Sequence, residues 1–113
     1  MATPSDIILF RPETQDYVSI YCHSDGYPSH HKKILVENYS TYEQVEQLIS
    51  LGDLSVLDIT PDLCLSYHRW RNEPLYILVS PEIRDHCGET YCYLFKEGVW
   101  FLLGGGNKFY PLT

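Results

Sequence analysis

Positive charge is scarcest in the middle of this chain. Residues 34 to 68 contain no Lys or Arg, yet Glu37, Glu43, Glu46, Asp53, Asp58 and Asp62 all fall there. Across its 113 residues the chain has 8 Lys and Arg against 15 Asp and Glu, a formal net charge of −7. Such a surface repels phosphates on average, so direct nucleic-acid binding is not expected. Long apolar runs are also missing. No stretch nears the roughly 20 residues of a membrane span, and no membrane partner is expected. The opening MATPSDIILF has neither the basic region nor the long apolar region of a secretory signal, so the expectation is a soluble, cytosolic chain. No CxxC pair occurs among Cys22, Cys64, Cys87 and Cys92, which argues against a zinc site built from cysteines alone. In the cytosol these would be reduced thiols. Cys64 and Cys92, set among apolar residues, read as core positions. Repeats, low-complexity segments and linkers are absent, and residues 1–113 read as a single domain.

The segments that are present have clear periodicities. DIILF reads as a short strand. DYVSIYC alternates, with Val18, Ile20 and Cys22 on one side and Tyr17, Ser19, Tyr21 and His23 on the other. SDGYP is turn chemistry, and a helix opening at Pro28 or Ser29 places Ile34, Leu35 and Tyr39 on an apolar side. A second helix follows, with Ser40 and Glu43 as a capping box, Tyr42, Val45, Leu48 and Ile49 at helical spacing, and Gly52 beyond its end. TPDLCLSYH and SPEIRDHCG read as short helices with Pro at the first position, and EPLYILVS between them as a strand. TYCYLF and VWFLL, joined by KEG, form a hairpin, and KFYPL suits an edge strand because Pro111 cannot donate to a ladder. The expected fold is α+β: a mainly antiparallel sheet with two to four short helices packed on one face.

Candidate chemistry concentrates first in YCHSDGYPSHH, residues 21–31. His23 and Asp25, two apart on a strand end, share a face and could hold a metal, but adjacent His30 and His31 cannot both point at one site from a helix. The alternative is that Asp25-Gly26-Tyr27-Pro28 only builds a turn, with the histidines at the surface or capping. Cys22 and His23 point to opposite faces of a strand, so a thiol–base pair would need a distant base such as His68. GGGN at 104–107 lacks the Lys-Ser/Thr of a phosphate loop. Arg69 and Arg71 read either as an anion site beside Trp70 or as a cationic helix end. The acidic middle is the most specific physical feature. Glu43, Glu46, Asp53, Asp58 and Asp62 could meet the basic groove of a nucleic-acid-handling protein in place of phosphates, or could simply keep the surface solvated.

IYCHSDGYP, ILVENYST, EQVEQLISLGDLSVL, YHRWRNEP and YLFKEGVWF together resemble a family of small phage and prophage proteins. The likeness covers about residues 17 to 103 and centres on a Tyr-Cys-His-x-Asp-Gly-Tyr-Pro turn, a Leu-x-Glu-x-Tyr helix and a Leu-Gly-Asp segment. It departs from the family's Gly-rich sequence after the Pro, where Ser29-His30-His31 stand here. The resemblance implies a phage or mobile-element origin and no catalytic mechanism. Joined to the acidic middle by analogy, it leads to the expectation of an anti-CRISPR or related anti-defence inhibitor in the host cytoplasm, without enzymatic activity or cofactor. Its partner would be a host protein with a basic nucleic-acid-binding groove, a CRISPR effector for example. Tyr39 and Tyr42 are expected as anchors at the rim of the contact. The alternatives are a small metal-dependent or acid–base enzyme centred on His23, Asp25 and His68, and a phage accessory module that binds another protein.

Overall fold

The two alternating segments form strands β1 (Ser5–Arg11) and β2 (Asp16–Cys22), paired antiparallel from Ser5 opposite Cys22 to Arg11 opposite Asp16. The structure is a computed structural model, and it describes residues 3–112. At the closed end of this hairpin the Arg11 guanidinium forks onto the Asp16 carboxylate at 2.8 and 2.7 Å. Ile7 and Leu9 of β1 point to one side of the sheet and Ile8 to the other, and all three are buried. The sheet therefore has apolar cover on both faces.

The remaining strands are β3 (Leu54–Val56), β4 (Leu65–Ser66), β5 (Leu78–Ser80), β6 (Tyr91–Lys96), β7 (Val99–Leu103) and β8 (Phe109–Pro111). Their order across the sheet is β4-β3-β2-β1-β6-β7-β8, with β5 alongside β2. β3 meets β2 only at Leu54 opposite Cys22, which leaves the Tyr17–Ser19 part of β2 free to pair with β5. The α+β expectation is met, and the sheet is mixed. Five of the seven pairings are antiparallel, while β1–β6 and β2–β3 are parallel. β1 and β6 lie in the middle of the sheet, with Cys92 to Phe95 all buried, the setting in which parallel pairs are found. β6 and β7 turn on Glu97 and Gly98, whose φ values of 54° and 79° are those a two-residue hairpin loop demands. β8 forms the far edge, as its Pro requires.

Helices α1 (Pro28–Asn38) and α2 (Tyr42–Ile49) cover the face carrying Ile7, Leu9, Val18, Ile20 and Cys22. The 3-10 turn Ile83–His86 lies on the opposite face, where Ile83 packs with Ile8 and Leu94, so the helical pieces are not all on one side. α2 starts one residue later than its first capping pair suggests. Thr41, not Ser40, is the cap: Gln44 N donates to Thr41 Oγ1 at 3.2 Å, and Thr41 N donates back to Gln44 Oε1 at 3.2 Å. α1 ends with Tyr39 as its cap, which leaves Ser40 as the connecting residue. TPDLCLSYH is not one helix. The Leu63 and Cys64 amides both bond to the Thr60 carbonyl in a turn, Leu65–Ser66 is recruited as β4, and helix α3 (Tyr67–Arg71) starts behind the Ser66 cap. Among the described residues no helix is long and apolar enough to cross a membrane.

Candidate functional site

The turn at residues 21–31 is held together from within. Cys22 faces the core beside Val18 and Ile20, and burial pushes its thiol up to about 12. His23 is exposed, with Nδ1 2.6 Å from the Tyr21 hydroxyl, and Asp25 accepts a hydrogen bond from the Tyr27 hydroxyl at 3.3 Å. Asp25 takes the left-handed conformation (φ 57°) that the Asp-Gly step allows. Gly26 is needed for a different reason: a Cβ there would lie 2.6 Å from the Thr3 carbonyl oxygen and 2.7 Å from Ser5 Cβ. The Gly26 carbonyl in turn accepts the Tyr93 hydroxyl at 2.7 Å.

His31, which the sequence places at a surface or a cap, is instead fully buried. Its Nε2 lies 3.0 Å from Ser5 Oγ, its Nδ1 lies 3.1 Å from Nδ1 of His30, and its ring packs on Tyr93. Burial, helped by His30, lowers its pKa to about 3, so it is neutral at pH 7. His68 is exposed on α3 and donates from Nδ1 to the Glu73 carbonyl at 2.7 Å. His23, Asp25 and His68 thus each bond to near neighbours. Among the described residues no group of three or more His, Cys, Asp or Glu is arranged to hold a metal ion. The arrangement locks the end of β2 to α1.

The acidic segment divides into free and engaged carboxylates. Val45, Leu48 and Ile49 turn inward from α2, which leaves Glu43 and Glu46 exposed on its outer side. Asp62 is exposed in the turn beyond β3, beside Gln47, Ser50 and Arg69 around a recess of about 350 Å³. Asp53 is half-buried, and its Oδ1 accepts the Tyr21 amide at 2.9 Å. Burial holds its carboxyl above the usual carboxylate range. Asp58 is half-buried and accepts its neighbour's amide, Ile59 N, at 2.7 Å. Asp53 and Asp58 therefore organise the chain and are not offered to solvent as Glu43, Glu46 and Asp62 are.

The two tyrosines separate in the same way. Tyr39, expected at the rim, is 1% exposed, and its hydroxyl donates to the Asp58 carbonyl at 2.8 Å. It is a core residue because it closes α1 over the sheet, with its own carbonyl accepting the Trp100 indole N–H at 2.7 Å. Tyr42 is half-buried, with its hydroxyl 3.5 Å from Glu13 Oε2, and remains within reach of a rim contact.

Sequence reasoning missed the apolar neighbours of this face. Ile59 and Leu63 are 49% and 54% exposed, and Ile59 borders a recess of about 270 Å³ with Gln44, Gln47 and Pro61. The signal was present in DITPDLC, where Leu63 falls inside the stretch TPDLCLSYH read as a helix and Ile59 just before it. Arg69 is not an anion site: its guanidinium donates to the carbonyls of Pro61 (3.0 Å) and Cys64, tying α3 to the same turn. Arg71 pairs with Glu73 at 3.1 Å, while Trp70 stays exposed.

The geometry defines an α+β protein with a mixed sheet and an acidic outer helix. No family model, curated protein or solved structure matches the chain.

Proposed function

We propose that this chain is a phage-encoded, non-enzymatic inhibitor of host defence, of the anti-CRISPR type, acting in the host cytoplasm. Its outer helix face meets a basic groove on a nucleic-acid-handling host protein, a CRISPR effector for example, and competes with nucleic acid for that groove. The observation that supports this most is the state of Glu43 and Glu46. Both are exposed on one short, well-capped helix, and the ion pairs among the described residues, Arg11–Asp16 and Arg71–Glu73, involve neither. Asp62, Ile59 and Leu63 in the neighbouring turn add charge and apolar surface, the mixture that protein partners use. Opposed carboxylates and Lys or Arg side chains speed encounter and set register, and a partner built to bind phosphates supplies those cations. Phage origin rests on the resemblance carried by the turn and its flanking segments.

The test is capture from host lysate on the immobilised protein. The expected result is a nucleic-acid-binding protein that competing nucleic acid elutes. A retained partner that still binds its nucleic acid in a ternary complex contradicts competition. A phage-encoded partner without a basic groove would instead make the chain an accessory binding module.

A further inference from the structure

The sheet face opposite α1 and α2 carries chemistry that the acidic helix does not use. The 3-10 turn Ile83–His86 ends at Cys87, and Cys92 is the second residue of β6. Their sulfurs lie 2.7 Å apart, with Cys92 donating its S–H to Cys87, and both are free thiols. That separation is longer than the roughly 2.0 Å of a disulfide bond but leaves little movement before one could form.

The backbone holds the two thiols in place. Cys92 sits opposite Asp6 in the β1–β6 ladder, and Asp6 Oδ2 accepts the amides of Gly88 (2.9 Å) and Glu89 (3.0 Å) in the loop between the cysteines. Access differs between them. Cys92 is 2% exposed, whereas Cys87 is half-buried and opens onto a recess of about 260 Å³ bordered by Ile83, Arg84, Leu103 and Phe109.

The hydrogen bond from Cys92 holds the Cys87 thiol below the ordinary thiol range, against the opposing effects of burial and the Asp6 carboxylate. The same bond, with burial, keeps the Cys92 thiol far above it. Cys22 and Cys64 lie in the core on the other face of the sheet, and burial pushes both thiols up.

We propose that Cys87 and Cys92 form a reversible dithiol–disulfide site, with Cys87 as the nucleophile toward peroxides and small-molecule disulfides and Cys92 as the resolving thiol. With hydrogen peroxide, the Cys87 thiolate sulfur attacks one oxygen and the O–O bond breaks. The hydroxide released takes up the proton that Cys87 gave to solvent and leaves as water, and Cys87 is left as the sulfenic acid. The Cys92 sulfur then attacks the Cys87 sulfur. The S–S bond forms, the S–O bond breaks, and the hydroxyl leaves with the Cys92 proton as a second water. The two thiols lose two electrons and two protons, and the peroxide is reduced to two waters. Oxidised glutathione reaches the same product by exchange: Cys87 forms a mixed disulfide and releases one glutathione, and Cys92 displaces the second.

The test treats the protein with hydrogen peroxide or oxidised glutathione, counts its thiols after unfolding and maps the linked peptides. From four thiols the count is expected to fall to two, with a Cys87–Cys92 cross-link that a thiol reductant reverses. Cys92→Ser is expected to accumulate a stable glutathione adduct on Cys87, and Cys87→Ser to leave Cys92 unmodified. The proposal is overturned by a wild-type count that stays at four, by a cross-link through Cys22 or Cys64, or by an adduct on another cysteine in Cys92→Ser. The wild-type mapping needs no substitution, so it decides the matter even where a variant does not fold.

Discussion

His31 is a titratable side chain sealed between Ser5 and Tyr93, and this gives the protein a specific acid sensitivity. Its folded pKa, lowered to about 3, lies below the value of 6.5 it has when solvated. Between those values the unfolded chain binds a proton that the folded chain does not, so stability is complete above 6.5 and is lost as pH falls. The slope is up to about 1.4 kcal/mol per pH unit. Asp6 and Asp53, both raised by burial, work in the opposite sense nearer the carboxylate range, so the His31 effect is cleanest above about pH 5. Urea unfolding is expected to show a loss of about 2 kcal/mol from pH 7 to pH 5. His31→Gln, less stable at pH 7, should lose much less over that interval, and an equal slope in the two proteins contradicts the assignment. Tyr39→Phe removes the hydrogen bond to the Asp58 carbonyl and is expected to cost about 1 kcal/mol in the same measurement, with partner binding unchanged. Neither residue's role was legible beforehand. Adjacent histidines on a helix look equivalent until the roll of α1 over Ser5 and Tyr93 is fixed. Tyr39 lies on the apolar side of its helix and also suits a rim anchor, and only the closure of Trp100 and Asp58 around it decides for the core.

Elements whose signals are local could be read from the sequence, and those set by distant partners could not. The β6–β7 hairpin follows from Glu97-Gly98, and β8 at the edge follows from Pro111, because turn and ladder chemistry act within a few residues. The parallel β1–β6 pairing joins strands about 85 residues apart, and nothing within either strand specifies its neighbour's direction. In STYEQ two overlapping capping pairs are available, Ser40 with Glu43 and Thr41 with Gln44. The end of α1 at Tyr39 decides for the second, and that choice leaves the Glu43 side chain out of the capping box and exposed in the first turn of α2. Thr41→Ala is therefore expected to destabilise the fold by about 1 kcal/mol. It should also weaken partner binding, since the first turn of α2 then no longer holds Glu43. Ser40→Ala should do much less to either property, and the reverse ranking in urea unfolding would place the cap at Ser40.

Across the whole molecule, the two candidate chemistries lie on opposite faces of the sheet, the acidic helix over one and the thiol pair on the other. The acidic middle was visible as a run of one sign, and α2 does bring Glu43 and Glu46 outward, with Asp62 in an adjoining turn. What the sequence left open was which carboxylates are free: Asp53 is spent on the Tyr21 amide, 32 residues away in the chain, and Asp58 turns back onto the amide of its own neighbour Ile59. The opposite face carries the thiol pair and is independent of the acidic helix, so oxidation and partner binding can be tested separately. The most direct test of the inhibitor account is the affinity of the captured partner as a function of salt, for wild type and for Glu43→Lys with Glu46→Lys. The account predicts that wild-type affinity falls steeply as salt rises, and that the double variant binds at least about tenfold more weakly with a flatter salt dependence. Equal affinity and equal slope in the two proteins would contradict it.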